Sequence, residues 1–118
     1  MIIDLPWPPK ELSPNARTHW AAKARIAKRY RSTCRILAMQ AKLKAPVSGP
    51  IPIEIVFYPP DRRHRDDDNC TGAFKPGRDG VADALGVDDS RFRTAPTISD
   101  TPIKGGVVRL TFLSEGDQ

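Results

Sequence analysis

The chain has 118 residues, 39% of them apolar by type, a net charge of +5 and two cysteines. This is the length of one domain with a modest core, with too few cysteines for a disulfide framework or a thiolate metal site, and with charged and apolar residues too well mixed for global disorder. No apolar run approaches the roughly 18 residues of a spanning helix, and no basic segment followed by an apolar one opens the chain. The expectation is therefore one domain over residues 1–118 in the cytoplasm, with Cys34 and Cys70 reduced and no membrane partner.

Residues 2–5 read as a short strand, stopped by Pro6-Trp7-Pro8-Pro9, and residues 10–17 read as a loop. Thr18 is the candidate N-cap of a long helix over residues 18–44. Its apolar stripe is Ile26, Tyr30, Cys34, Leu37 and Ala41, at spacings of 4, 4, 3 and 4. Prolines 46 and 50 close it. Ile51, Ile53, Ile55 and Phe57 then alternate with other residues, as in a strand with one buried face, and Pro50 and Pro52 point to a sheet edge at its start. A helical pattern over residues 69–86 carries Phe74, Val81, Ala84 and Leu85. Pro76 lies inside it, so the helix either kinks between Gly72 and Pro76 or begins near Pro76. Asp88-Asp89-Ser90 reads as a turn, residues 91–98 as a weak strand, Lys104-Gly105-Gly106 as a hairpin turn, and the alternation of Val108, Leu110 and Phe112 as a last strand. The order β-α-β-α-β-β implies an α+β fold, two helices packed on one face of a small mixed sheet.

Charge is segregated along the chain. Between Glu11 and Glu54 there is no acid and there are nine bases, whereas eight of the 14 acids fall between Asp61 and Asp89. Arg25, Lys28, Arg35 and Lys42 share one stripe of the first helix, at spacings of 3, 7 and 7. Like charges on one helix repel, so the stripe fits a face that meets a polyanion, and nucleic acid is the expected one. The apolar side of that helix is largely alanine and lacks the bulky stripe of a membrane-surface helix. Arg62, Arg63 and Arg65 extend the basic surface just ahead of the acids.

The acids form the second pattern. If the backbone is extended through Asp66, Asp67 and Asp68, the outer two point the same way, about 6.5–7 Å apart. Asp67 then faces away, free to cap the following helix or bond Arg65. About twenty residues on, Asp89 supplies a third carboxylate. Three oxygen ligands without His or Cys favour Mg²⁺ or Mn²⁺ over Zn²⁺, and such ions serve phosphodiester hydrolysis by activating water and neutralising the developing charge. Helical spacings of 4 and 3 through Gly72 put Lys75 on the side of Asp68, where an ammonium can stabilise the transition state. The competing reading of Lys75 is a surface residue paired with Asp79 at i,i+4. His19 and His64 read as surface or phosphate-contacting residues, and no catalytic triad or phosphate-binding glycine loop is present.

Four stretches carry a resemblance to a known family: Leu5-Pro6-Trp7-Pro8-Pro9, the block from Pro60 through Arg65-Asp66-Asp67-Asp68-Asn69, the stretch from Asp79-Gly80-Val81 to Val87-Asp88-Asp89, and Lys104-Gly105-Gly106. In this order they resemble the RusA family of Holliday junction resolvases, often carried by prophages. The resemblance implies a homodimeric, Mg²⁺-dependent endonuclease, with Mn²⁺ able to substitute, that places paired nicks in four-way junction DNA. It maps catalytic, metal-binding aspartates onto Asp66, Asp68 and Asp89 and a required lysine onto Lys75. Better-known members carry that lysine three residues after the Asn, where this chain has Gly72. From the residues alone, a non-catalytic basic DNA-binding module and a nuclease for other branched DNA are the competing readings.

Overall fold

The computed structural model describes residues 1–113 as β1 (Ile2–Pro6), α1 (Trp20–Gln40), β2 (Ile51–Tyr58), α2 (Asp67–Leu85), β3 (Phe92–Ile98) and β4 (Val107–Phe112), with single 3₁₀ turns at Lys10–Leu12 and Asp89–Arg91. The expected element order and α+β class hold. The sheet order is β1-β4-β2-β3, with β4 antiparallel to β1 and β2, and β3 parallel to β2. A parallel pair needs a crossover, and α2 is that crossover. Because β1, β2 and β3 run the same way, Trp7, the loop after Tyr58 and Ser99 all leave the sheet at one end.

Two local expectations about the sheet fail for tertiary reasons. β2 is central, not an edge. Pro52 is tolerated because pairing with β4 begins only at Ile53 opposite Phe112, so the missing N–H breaks no rung there. Lys104-Gly105-Gly106 is a tight turn but not a hairpin, since β3 and β4 flank β2 on opposite sides. Gly105 and Gly106 both take positive φ, and a Cβ on Gly106 would lie 2.7 Å from the Trp7 side chain.

Ile3 and Leu5, the odd residues of β2 from Ile51 to Phe57, and Val108 and Leu110 are all buried. This is the period-2 pattern of a sheet covered on one face. Aromatic edges stitch the layers together: Trp7 to Phe57 at 6.1 Å, Phe57 to Phe74 at 6.0 Å, and Phe74 to Tyr30 at 6.4 Å between ring centres. The Tyr30 hydroxyl donates to the Pro6 carbonyl at 2.6 Å, tying α1 to β1. Where the two helices meet, Gly80 lies under the α1 backbone, and a Cβ there would sit 2.2 Å from the Arg31 carbonyl oxygen.

Helix ends also depart from the local reading. Thr18 does not cap α1. His19 does, its Nδ1 accepting from the Ala21 N–H at 3.2 Å. The helix ends at Gln40, not near residue 44, and Lys42 follows in a turn with φ of 55°. Of the stripe, Tyr30 and Cys34 are buried with Ala38, while Ile26, Leu37 and Ala41 pack at its margin. α2 begins at Asp67 and runs through Pro76. The carbonyl that Pro76 leaves unpaired belongs to Gly72, which is exposed to water. Seven buried residues, Cys70 to Ala82, anchor the helix on either side of it.

Candidate active site

The head of α2 is capped by Asp66, whose carboxylate accepts from the Asp68 N–H at 2.8 Å. Asp67 is therefore not the cap. The backbone is extended only at Asp66 and turns helical at Asp67, so the extended spacing expected for Asp66 and Asp68 does not apply. Both are exposed, and both sit where a helix N-terminus favours negative charge. Arg65 does not bond Asp67 either. Its guanidinium is 2.9 Å from Asp61 and donates to the carbonyls of Asp61 and Arg63. The backbone N–H of Arg63, then the side chains of Arg63 and Arg65, hold the Asp61 carboxyl down to about 2.

One continuous helix makes the Asp68–Gly72–Lys75 spacing real. Lys75 lies about 10 Å further along the axis than Asp68. Its ammonium donates to Asp79 at 2.7 Å and to Asp89 Oδ2, so the i,i+4 pair and the longer-range contact exist together. Burial opposes the Lys75 charge, but the bonds to Asp79 and Asp89 outweigh it and raise its pKa above the usual lysine value. The group is thus a fixed positive donor rather than a base at neutral pH.

Asp89 is placed by the turn that opens β3. Asp88 caps it, accepting from the Ser90 N–H at 2.8 Å. Arg78 holds Asp89 from the helix side: Nη2 donates to its carbonyl at 3.2 Å and Nε lies 3.5 Å from its carboxylate. The Arg78 guanidinium rests over the Phe92 ring, 5.7 Å from its centre. Asp79 also sits 4.0 Å from Arg31, which grips Asp83 through two bonds of 2.7 and 2.9 Å. Three cations and three carboxylates thus form one network across α1, α2 and the turn. The i,i+4 rule offered only Lys75–Asp79 from it. Arg31 and Arg78 join through tertiary packing that no sequence spacing signals.

Arg31 is one of the nine bases, so its counter-charge was hidden in another element. Arg25, Lys28 and Arg35 stand exposed on α1, and Lys42 lies exposed beyond its end. Arg62 and Arg63 are exposed beside the head of α2.

The donor set is all carboxylate, the chemistry a hard divalent ion prefers. Its geometry is not that of a formed metal site: among the described residues no three His, Cys, Asp or Glu side chains gather closely enough to hold an ion. Asp66 is engaged as a cap and Asp89 is held by Lys75 and Arg78. Among the described residues no helix is long and apolar enough to cross a membrane.

No family model matches the chain. A protein of Xylella fastidiosa (strain Temecula1), named only as an uncharacterized protein, is 46% identical over 112 residues, covering 92% of this chain and 73% of that one. The crossover junction endodeoxyribonuclease RusA of Escherichia coli (strain K12) is 30% identical over 121 residues, covering 98% of this chain and 96% of the relative. RusA of Shigella sonnei (strain Ss046) matches to the same extent. An alignment of this identity running end to end, over a chain whose helix α2 joins its acidic block to Lys75 and Asp89, places the protein: it belongs to the RusA family.

Proposed function

We propose that the protein is a Mg²⁺-dependent endodeoxyribonuclease that resolves four-way DNA junctions by paired nicks, acting as a homodimer. The observation that supports this most is the convergence of Lys75 and Asp89, 14 positions apart in the chain, on one side of α2. Such a contact between a raised-pKa ammonium and a carboxylate, on a helix headed by exposed acids and flanked by bases, suits phosphoryl chemistry better than simple DNA binding, which has no use for it. The dimer follows from the substrate: two opposed strands are cut, and a 13.1 kDa domain with one site must be doubled by a two-fold axis.

In this reading Asp66, Asp68 and Asp89 would supply the carboxylates that hold the ion, and the ion would supply water activation and neutralisation of phosphate charge. Lys75 acts on its own account. Its ammonium, kept protonated by Asp79 and Asp89, offers a hydrogen bond to a phosphate or leaving oxygen as negative charge grows there. Asp79 aims it, and Arg78 fixes Asp89 from behind. Arg25, Lys28, Arg35, Lys42, Arg62 and Arg63 hold phosphates of the arms, which positions the DNA without reading its sequence. Arg65, pinned to Asp61, shapes the loop that carries Arg62 and Arg63.

The test is a nicking assay on a synthetic four-way junction and on linear duplex of the same sequence, with Mg²⁺ and with EDTA. Paired nicks on the junction alone, and only with the ion, are the expected result. Equal cutting of duplex, or no cutting under any metal condition, contradicts the proposal.

A further inference from the structure

We propose that the cavity beside the head of α2 receives one unstacked nucleobase of the bound DNA, with the adjoining phosphate at Lys10. This rests on the reading of the protein as a nuclease of branched DNA and adds a substrate-binding site to it. The cavity has a volume of about 430 Å³ and lies between the segment after β1 and the first two turns of α2, a size typical of sites for small ligands. Its apolar lining includes four rigid, flat-sided groups, Trp7, Pro8, Pro9 and Phe57, besides Cys70 and Ala73. The Trp7 ring is held in place by Phe57 at 6.1 Å and by the Arg65 guanidinium, 5.7 Å from the ring centre.

The polar lining is mixed, with the Lys10 ammonium and the Asp66 carboxylate beside the hydrogen-bonding side chains of Ser13, His64 and Asn69. Lys10 and His64 are exposed at the cavity, whereas Arg65 is consumed by Asp61 and two carbonyls. Asn69 also lines the cavity, and its carboxamide makes no hydrogen bond among the described residues. An amide offers a donor and an acceptor side by side, the pair that a base edge answers. Rigid aromatic and proline surface, one free amide and the Lys10 ammonium together select a planar, hydrogen-bonding heterocycle joined to an anion. An aliphatic ligand would leave Asn69 and Lys10 unused. Asp66 lines the same cavity, so the captured base lies directly beside the proposed scissile region. A branch point is where a base leaves its stack at least cost.

The test is photo-cross-linking. Four-way junctions carrying 5-iodo-deoxyuridine at single positions flanking the branch are bound to the full-length protein in EDTA, irradiated, and the adduct is mapped by mass spectrometry. The expected adduct is on Trp7, from one or two positions at the branch, with none from the same base placed in an arm. Asn69→Ala, compared with the parent at saturating protein, should lower the Trp7 adduct about fivefold and weaken junction binding by no more than the same factor, the worth of one hydrogen bond of about 1 kcal/mol. Junction binding with adducts elsewhere, for instance on the exposed Trp20, or with none, overturns the pocket and leaves the nuclease reading standing. Failure to bind the junction in preference to duplex removes both.

Discussion

The two halves of α2 treat the same residue type in opposite ways. At its head, Asp67 and Asp68 are exposed beside Asp66, whose carboxylate caps the helix and meets no cation among the described residues. In its second half, Asp79 and Asp83 are tied to Lys75 and Arg31, and the turn beyond brings Asp89 to Lys75 and Arg78. The head is thus electrostatically open, and the second half is already neutralised. A carboxylate in the open region can accept a cation at little cost. Asp79 in the closed region holds a protein cation in place instead, so its effect on chemistry passes through Lys75, whereas Asp89 stands between the two regions, bonded to Lys75 and proposed for the ion.

The sharpest division between the regions lies in the loss of each group. Asp68→Asn removes a charge that no cation among the described residues partners, so junction cleavage should fall below detection while binding stays level or tightens, because a negative charge near phosphates is gone. A gel-shift titration beside a cleavage time course measures both. Lys75→Met acts in the closed region. If its donor is used only in the transition state, the cleavage rate should drop by about 10²–10³ with little loss of affinity, and Lys75→Arg should rescue part of it. Parental nicking by Lys75→Met would mean that the pair with Asp79 only supports the helix.

The closed region also depends on how near α1 comes. Gly80→Ala puts a methyl 2.2 Å from the Arg31 carbonyl, which the backbone cannot accommodate without moving apart. A loss of about 3 kcal/mol in urea unfolding is expected, at the upper end for overpacking. Replacing Arg25, Lys28 and Arg35 by Gln leaves both halves of α2 intact. It should weaken binding to junctions of any sequence and lower the salt slope by up to about 0.9 for each phosphate no longer neutralised. An unchanged slope would place that face of α1 elsewhere, for instance against a second copy.

Much of this was legible in the sequence, and the failures have physical causes. Alternation in residues 51–57 and 108–112 is a local signal, and it placed the strands and their buried faces. The helical spacing of Asp68, Gly72 and Lys75 became geometry because α2 is continuous. The position of Pro52 misled because a proline reports a missing donor, not whether a neighbour needs it. The cap of α1 was missed because His19 supplies a ring nitrogen where a hydroxyl is the commoner choice. The count of nine uncompensated bases overlooked Asp83, since the partner of Arg31 is 52 residues away. Arg78, half-buried between Phe92 and Asp89, has no signature in spacing at all.

The smallest effect concerns acidity. The side-chain bond from Arg31 holds the Asp83 carboxyl below its ordinary value of 3.8. A lowered folded pKa contributes stability above the unfolded value and loses it as pH falls through the folded one. Asp83→Asn should therefore cost no more than about 1 kcal/mol near neutrality, as exposed pairs do, and that difference should shrink as pH falls below 3.8 and through the lowered folded value. Thermal unfolding of both proteins across this range checks the sign. A difference that grows on acidification would contradict it.

The central claim is that the turn after α2 delivers Asp89 to Lys75 for the purpose of cutting DNA. The most direct measurement is a strand-labelled time course on a four-way junction with Mg²⁺, comparing the parent protein with Asp89→Asn at saturating protein. Paired nicks from the parent and none from Asp89→Asn are expected, with junction binding by the variant as tight as the parent's or tighter. Nicking at the parental rate by Asp89→Asn would contradict it.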